Sequence, residues 1–169
     1  DFFNRVTKNL IEQIDTLSGI ATEFSNFAQI PKAKNEAFNL IEVLGNVCAL
    51  FEPNQNLSIA LKTQNMTELI VFADKEQFSR AILNLVKNGV QAIPVEQKGM
   101  IEISVQADPD SGLITISDNG TGISEEAQEN MFQPNFTTKT SGMGLGLSIV
   151  KNIVDNFGGK IWYSTEPNI

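Results

Sequence analysis

The sequence predicts an α/β domain preceded by one long helix. Three observations lead there. Apolar residues at heptad spacing run from Phe3 to Ala28, and segments of helical and strand periodicity then alternate along the chain. Finally, two glycine loops, opening at Asp118 and closing at Gly146, bracket a Phe/Thr/Lys segment and run straight into another helical pattern. With 169 residues and 41% hydrophobic content, the chain can bury one good core and carry an appended element.

Phe3, Thr7, Leu10, Ile14, Leu17, Ala21, Phe24 and Ala28 fall on one stripe, which predicts a helix over about Phe3–Gln29. So wide a stripe calls for a partner helix in a bundle or coiled coil; a helix lying on its own domain is the alternative. Pro31 and the polar run to Asn35 end it and read as a linker. Leu40, Ile41, Leu44, Val47, Cys48 and Phe51 predict a second helix over Phe38–Phe51, stopped by Glu52-Pro53-Asn54. Leu57, Ile59 and Leu61 alternate with polar residues as in a strand, whereas Leu69–Phe72 is continuously apolar, as in a strand covered on both faces. Asp74 and Gln77 form a capping-box pattern at the start of a third helix, running to Ile93. On it Phe78, Ile82, Leu85, Val86, Gly89 and Ile93 share one face, and Arg80, Asn84, Lys87, Asn88 and Gln91 the other. Pro94 ends this helix. A hairpin follows, with Ile101, Ile103 and Val105 on its first strand and Leu113–Ser117 on its second, which delivers Asp118 where open sheets place ligand groups. A helix begins near Leu147, Gly158-Gly159 caps its end, and Lys160–Ser164 reads as a closing strand.

Composition excludes several functions. A net charge of −8 argues against a nucleic-acid surface, which needs clustered Lys and Arg, so bound phosphate must be held by local amides, a few cations and a metal. The chain has no histidine, which removes Ser/His/Asp chemistry and most zinc sites. Its one cysteine, Cys48, lies in an apolar run and reads as a small buried hydrophobe in a reducing compartment. No apolar span reaches bilayer length, and the opening Asp1-Phe2-Phe3, without Met, reads as a piece of something longer.

Glycine at every second position lets backbone N–H groups approach a ligand, and a helix starting just behind such a loop offers its N-terminus to an anion. One such loop alone reads better as a plain turn; two, about twenty residues apart, point to a nucleotide phosphate. Asn84 and Asn88, one helical turn apart, are poor helix formers on a face where Glu, Lys or Gln would be favoured. They read equally as ordinary surface asparagines or as groups turned toward a polar ligand.

Together these segments resemble sensor histidine kinases of two-component systems. Asn84-Leu85-Val86-Lys87-Asn88-Gly89-Val90-Gln91-Ala92-Ile93 resembles the N box, Asp118-Asn119-Gly120-Thr121-Gly122-Ile123 the G1 box, Met131–Lys139 the F box, and Gly142-Met143-Gly144-Leu145-Gly146-Leu147 the G2 box. The match covers about Asp74 to Trp162, and the preceding helix is similar to the second dimerisation helix of NtrY-like kinases. The resemblance implies a Bergerat fold: a two-layer α/β sandwich, a mixed sheet packed on three helices with a mobile ATP lid. It divides the chain into a partial dimerisation domain (1–30), a linker (31–37) and an ATP-binding catalytic domain (38–169).

What the resemblance implies for the site is specific. Asn88 would coordinate Mg²⁺. Asp118 would accept a hydrogen bond from the adenine amino group, with Gly120, Gly122 and Ile123 around the base. Thr137, Thr138 and Lys139 would meet the terminal phosphate from the lid, while Gly142, Gly144, Leu145 and Gly146 cradle the others and Asn84 completes the ATP-binding set. Phe132 and Phe136 would either serve the site or pin the lid to the core. The phosphoacceptor histidine would lie outside this chain, leaving no catalytic residue within it, and the family's last strand is absent as the chain stops at Asn168-Ile169. Gly89, Gln91 and Met143 depart from the usual residues without removing a ligand. The implied partners are ATP, a response-regulator receiver domain and a second copy joined through the N-terminal helix, with no nucleic acid. The implied location is the cytoplasm, free or as part of a membrane-anchored sensor. Alternatives are a degenerate kinase that only binds nucleotide or dimerises, and an ATPase like gyrase B, MutL or Hsp90. The latter use a carboxylate where this chain has Asn84, and an amide is no general base near neutral pH.

Overall fold

The structure is a computed structural model that describes residues 3–11, 13–14, 33–108, 111–138 and 143–165. Residues 3–11 form a helical segment, α1, and residues 13 and 14 are helical too; their side chains are exposed, including Phe3, Leu10, Ile11 and Ile14. Most of the remainder of the predicted Phe3–Gln29 helix lies outside the described residues. From Glu36 the order is β1 (Glu36–Asn39), α2 (Leu40–Ala49), β2 (Leu57–Lys62), β3 (Ile70–Ala73), α3 (Lys75–Ala92), β4 (Gly99–Ala107), β5 (Gly112–Asp118), α4 (Glu125–Asn130) and α5 (Gly146–Asn156). Among the described residues, no helix is long and apolar enough to cross a membrane.

The mixed sheet has the order β2-β4-β5, with β2 parallel and β5 antiparallel to β4. β4 lies between two neighbours and directs Ile101, Ile103 and Val105 to the helices, where all three are buried. Helix α2 meets them with Leu40, Val43, Leu44 and Val47, spaced for one helical face, and α3 with Ile82 and Val86. Each such fully buried aliphatic contributes roughly 1.5–3 kcal/mol from burial. A second, smaller cluster joins Ala81 and Leu85 of α3 to Leu145, Ile149, Val150 and Ile153 at α5. The predicted two-layer α/β sandwich with a mixed sheet is thus present, and α3 is shared between both clusters.

Three local expectations change, and one helix is added. Glu36–Asn39, assigned to the linker and the next helix, is a strand paired antiparallel to β3, and the helix starts at Leu40. The switch is made by Asn39: its Oδ1 accepts the N–H groups of Ile41 (3.1 Å) and Leu69 (3.1 Å), capping α2 and tying it to the strand beyond. β3 is not covered on both faces. It pairs with β1 in a separate two-stranded ribbon, so Phe38 and Val71 face inward while Phe72 is 74% exposed. Residues 160–164 take no regular secondary structure and pair with no strand among the described residues; the Tyr163 hydroxyl donates instead to the Gln128 carbonyl of α4 (3.2 Å) and the Ile123 N–H to Thr165 Oγ1 (3.0 Å). Finally, the short helix α4, capped by Ser124, carries too few residues for a periodicity to be read from sequence.

Helix α3 begins as expected. Asp74 is the N-cap and is only 5% exposed, with Oδ1 accepting the Gln77 N–H (2.9 Å). Oδ2 accepts the Gln77 side-chain amide (3.2 Å) and the backbone N–H of Lys34 (2.7 Å), which ties the chain leading into β1 to the first turn of α3. Burial alone would raise this carboxyl; the converging N–H donors outweigh it and hold it below the ordinary value of 3.8. At the other end of the domain Gly158 takes φ +70° and the Gly159 N–H reaches the Val154 carbonyl (2.9 Å), the predicted cap of α5. Cys48 is half-buried against the main core, and burial, then Glu52, pushes its thiol up.

Asp74→Ala is expected to lower stability by about 1–2 kcal/mol near neutral pH, read by urea denaturation. Because the folded carboxyl is depressed, its contribution is present above the unfolded value and lost as pH falls through the folded one. The difference between wild type and Asp74→Ala should therefore shrink below about pH 4.

Candidate functional site

Two close approaches bring the sequence-selected residues together. The first is between α3 and the end of β5. A Cβ placed on Gly89 would lie 3.2 Å from Asp118 Cβ and 3.3 Å from Asp118 Oδ2, so the helix bearing Asn88 passes directly beside the carboxylate. The second is between α3 and α5, where a Cβ on Gly146 would lie 4.0 Å from Asn88 Nδ2. Asn84, Asn88 and Asp118 consequently line one groove, together with Gly120, Gly122, Ile123, Thr137, Thr138, Gly144, Leu145 and Gly146. Lys139 and Gly142 lie outside the described residues. The groove spans about 2150 Å³, more than the roughly 300–1,000 Å³ usual for a small-molecule site, because it continues along the outer edge of β5 to residues 160–165.

Each wall follows from local sequence. Asp118 ends β5 opposite Ile101, and its Oδ1 accepts the Gly120 N–H (2.9 Å), closing a tight turn over α3. Gly120 is buried there, since a Cβ would press on the Ala92 carbonyl and methyl at 2.8 Å, while the Thr121 N–H bonds the same carbonyl (3.1 Å). Asn84 and Asn88 are half-buried on α3 opposite its core face, and Lys87 also lines the groove. Arg80 is not among the lining residues; burial lowers its guanidinium, with Glu76 opposing.

The far wall is the start of α5. Helices α2, α3 and α4 are each capped by a side chain, from Asn39, Asp74 and Ser124, but the N-cap of α5 is Leu145, which offers none. The Leu145 side chain is buried in the smaller core, so this residue presents only backbone to the groove. The first N–H groups of α5 are thereby left to an outside acceptor, and the helix dipole favours an anion. Before it, Gly144 takes φ +66° and lies so close to Phe136 that a Cβ would collide with that residue's carbonyl. Phe132 stacks at a tilt on Tyr163, ring centroids 6.3 Å apart, which fixes the base of the 132–138 segment to the 160–165 stretch. Phe132 thus has a packing duty, while Phe136 meets Gly144 through its backbone.

Gly89 and Asn119 are neighbours of Asp118 that were not among the predicted site residues. The helical pattern puts Gly89 on the apolar face and the motif marks it as an unusual residue, but its closeness to Asp118 depends on the α3–β5 packing. Asn119 lies inside a quoted motif, but its partners are far along the chain.

Residues 73–169 match the family described as histidine kinase-, DNA gyrase B- and HSP90-like ATPases. Sporulation kinase D of Bacillus subtilis (strain 168) is 33% identical over 162 residues, 94% of this chain and 32% of that protein. Thus the chain spans about a third of the length of this curated relative. The catalytic domain of histidine kinase ThkA superposes with a TM-score of 0.68 at 35% identity, covering 76% of this chain and 86% of that one. ThkA in complex with the response regulator TrrA aligns at 26% identity with a TM-score of 0.69, covering 94% and 44%.

Gly144→Ala is expected to weaken nucleotide binding at least about tenfold, through the collision with Phe136 and a backbone strain of about 1–2 kcal/mol. Gly158→Ala, with similar φ but open space around it, should show only the strain, with binding unchanged in calorimetric titration.

Proposed function

Since this chain belongs to the histidine kinase-, DNA gyrase B- and HSP90-like ATPases, and its relatives there include histidine kinases, we propose how it holds ATP and what the longer protein does with it. The observation that carries the reading is the convergence of the Asn84/Asn88 face, Asp118 and the side-chain-uncapped start of α5 on one groove. Asp118 accepts the amino group of adenine, and Gly120, Gly122 and Ile123 form the wall against the base. The phosphates extend toward α5, where backbone N–H groups of residues 144–146 hold them, with Thr137, Thr138 and Lys139 closing over the terminal one.

The residues fit a magnesium ion bound chiefly by nucleotide. Among the described residues no three carboxylate, cysteine or histidine groups cluster, as a protein-built metal cage would require. Asn88 instead brings its side-chain amide to the start of α5, and the hard oxygen of that amide would suit an ion that keeps phosphates and waters as its other ligands. Such an ion offsets phosphate charge, which an acidic chain with 12 Lys and Arg against 20 Asp and Glu supplies poorly.

In the whole protein the γ-phosphoryl group passes in line to a histidine nitrogen on the dimerisation domain and onward to a receiver-domain aspartate, in the cytoplasm. Residues 1–30 belong to that dimerisation domain, 31–37 to the linker and 38–169 to the catalytic domain. The groove contributes by positioning and charge neutralisation. Asn84 supplies no base for activating water, so transfer to a presented histidine is favoured over hydrolysis.

Mg-ATP at about 100 times its Kd should stabilise the chain by about 2.7 kcal/mol, measured by denaturation, and quench or enhance the fluorescence of Trp162, which lines the groove. Asn88→Ala is expected to abolish the Mg²⁺-dependent part of ATP binding and Asp118→Ala the preference for adenine. Incubation with labelled ATP should leave the chain unlabelled, since it contains no histidine. Absence of any ATP response in the wild type would overturn the reading.

A further inference from the structure

Between Asp118 and Gly120, Asn119 bonds to a distant part of the chain through four contacts. Its Oδ1 accepts the Met100 N–H (2.7 Å), and its Nδ2 donates to the Lys98 carbonyl (3.0 Å). Its own N–H donates to the Met100 carbonyl (3.2 Å), and its carbonyl accepts the Gln97 side-chain amide (2.8 Å). β5 ends at Asp118, opposite Ile101, so these bonds carry the β4–β5 ladder one residue further by means of a side chain. Only an amide of this length offers an acceptor and a donor to two backbone groups at once; a carboxylate keeps the first bond and sets two acceptors facing at the second.

We infer that Asn119 is a positioning residue for base recognition: it locks the backbone at the end of β5 so that the neighbouring Asp118 carboxylate holds its place beside Gly89. The inference rests on the reading of Asp118 as the adenine contact. Asp118 itself is exposed and its Oδ1 accepts the N–H of the turn it initiates, so the geometry of its carboxylate depends on the chain that carries it. Gly89 sets how near that carboxylate lies to α3, and Asn119 fixes it from the opposite direction. Thr121, bonded to Ala92, closes the same turn from the helix side, so the turn is held at both ends while the carboxylate between them stays open to the groove.

The test compares affinities for ATP and for inosine triphosphate, in which the amino group is replaced by an oxygen, in folded protein verified by circular dichroism. Wild type should prefer ATP by about tenfold or more, the range for a hydrogen bond to a charged group. Asp118→Ala should abolish that preference; if it does not, the underlying assignment of Asp118 fails, and this proposal with it. Asn119→Ala should reduce the preference at least threefold by weakening ATP alone, with inosine triphosphate affinity unchanged. Asn119→Asp, which keeps the bond to Met100, should fall between alanine and wild type, and it provides the reading if the alanine variant does not fold. A wild-type preference in either Asn119 variant, or an equal loss for both nucleotides, overturns the positioning role while leaving the Asp118 assignment standing.

Discussion

The groove exists because α3 lies against the end of β5, with Gly89 facing Ile101 and Asp118 at the contact. Ile101 Cδ1 and Asp118 Cβ occupy the space a methyl group would need, at 2.9 and 3.2 Å. One residue earlier on the same helix stands Asn88, so the depth at which α3 packs fixes the separation between the carboxylate and the amide. That depth is set in turn by the core, since Ile82 and Val86 seat the helix on β4 while Ala81 and Leu85 receive α5. Stability and recognition therefore meet in one helix, and a change on its buried face alters the geometry of its polar face.

Electrostatics explains why backbone is prominent in this site. A chain with a net charge of −8 repels a polyphosphate at long range, so attraction has to be local and oriented. In the proposed site the start of α5, without a side-chain cap, would meet this need with amides that carry no counter-charge and need no rotamer to be fixed. Among the described residues the other helices of the domain are closed by Asn39, Asp74 or Ser124. Leaving α5 open forgoes a stabilising cap, and its helix is held by the smaller core instead.

Much of this was legible in sequence where the signal is local. Asp74 and Gln77 mark the beginning of α3 because capping uses residues three apart, and Gly158 marks the end of α5 because few other residues accept its φ. Alternation in Ile101, Ile103 and Val105 read correctly because β4 has one covered face. Signals that depend on distant partners were lost. β1 is four residues long and exists through pairing with β3, and the apolar run at β3 says nothing of the two-stranded ribbon that leaves Phe72 exposed. The same limit hid the bonds from Asn119 to Lys98 and Met100: the motif identified the residue, but its partners lie about twenty positions back on another strand.

The carboxylate of Asp74 receives N–H groups from both Lys34 and Gln77, so the segment arriving from the first helix and the opening turn of α3 share one anchor. Neither can fray without withdrawing a donor from the other. Slow amide exchange at Lys34 and Gln77 would then report a single opening event, making the stretch before β1 one cooperative unit with the helix that carries Asn84 and Asn88. One carboxylate thereby couples the stretch before β1 to the first turn of α3.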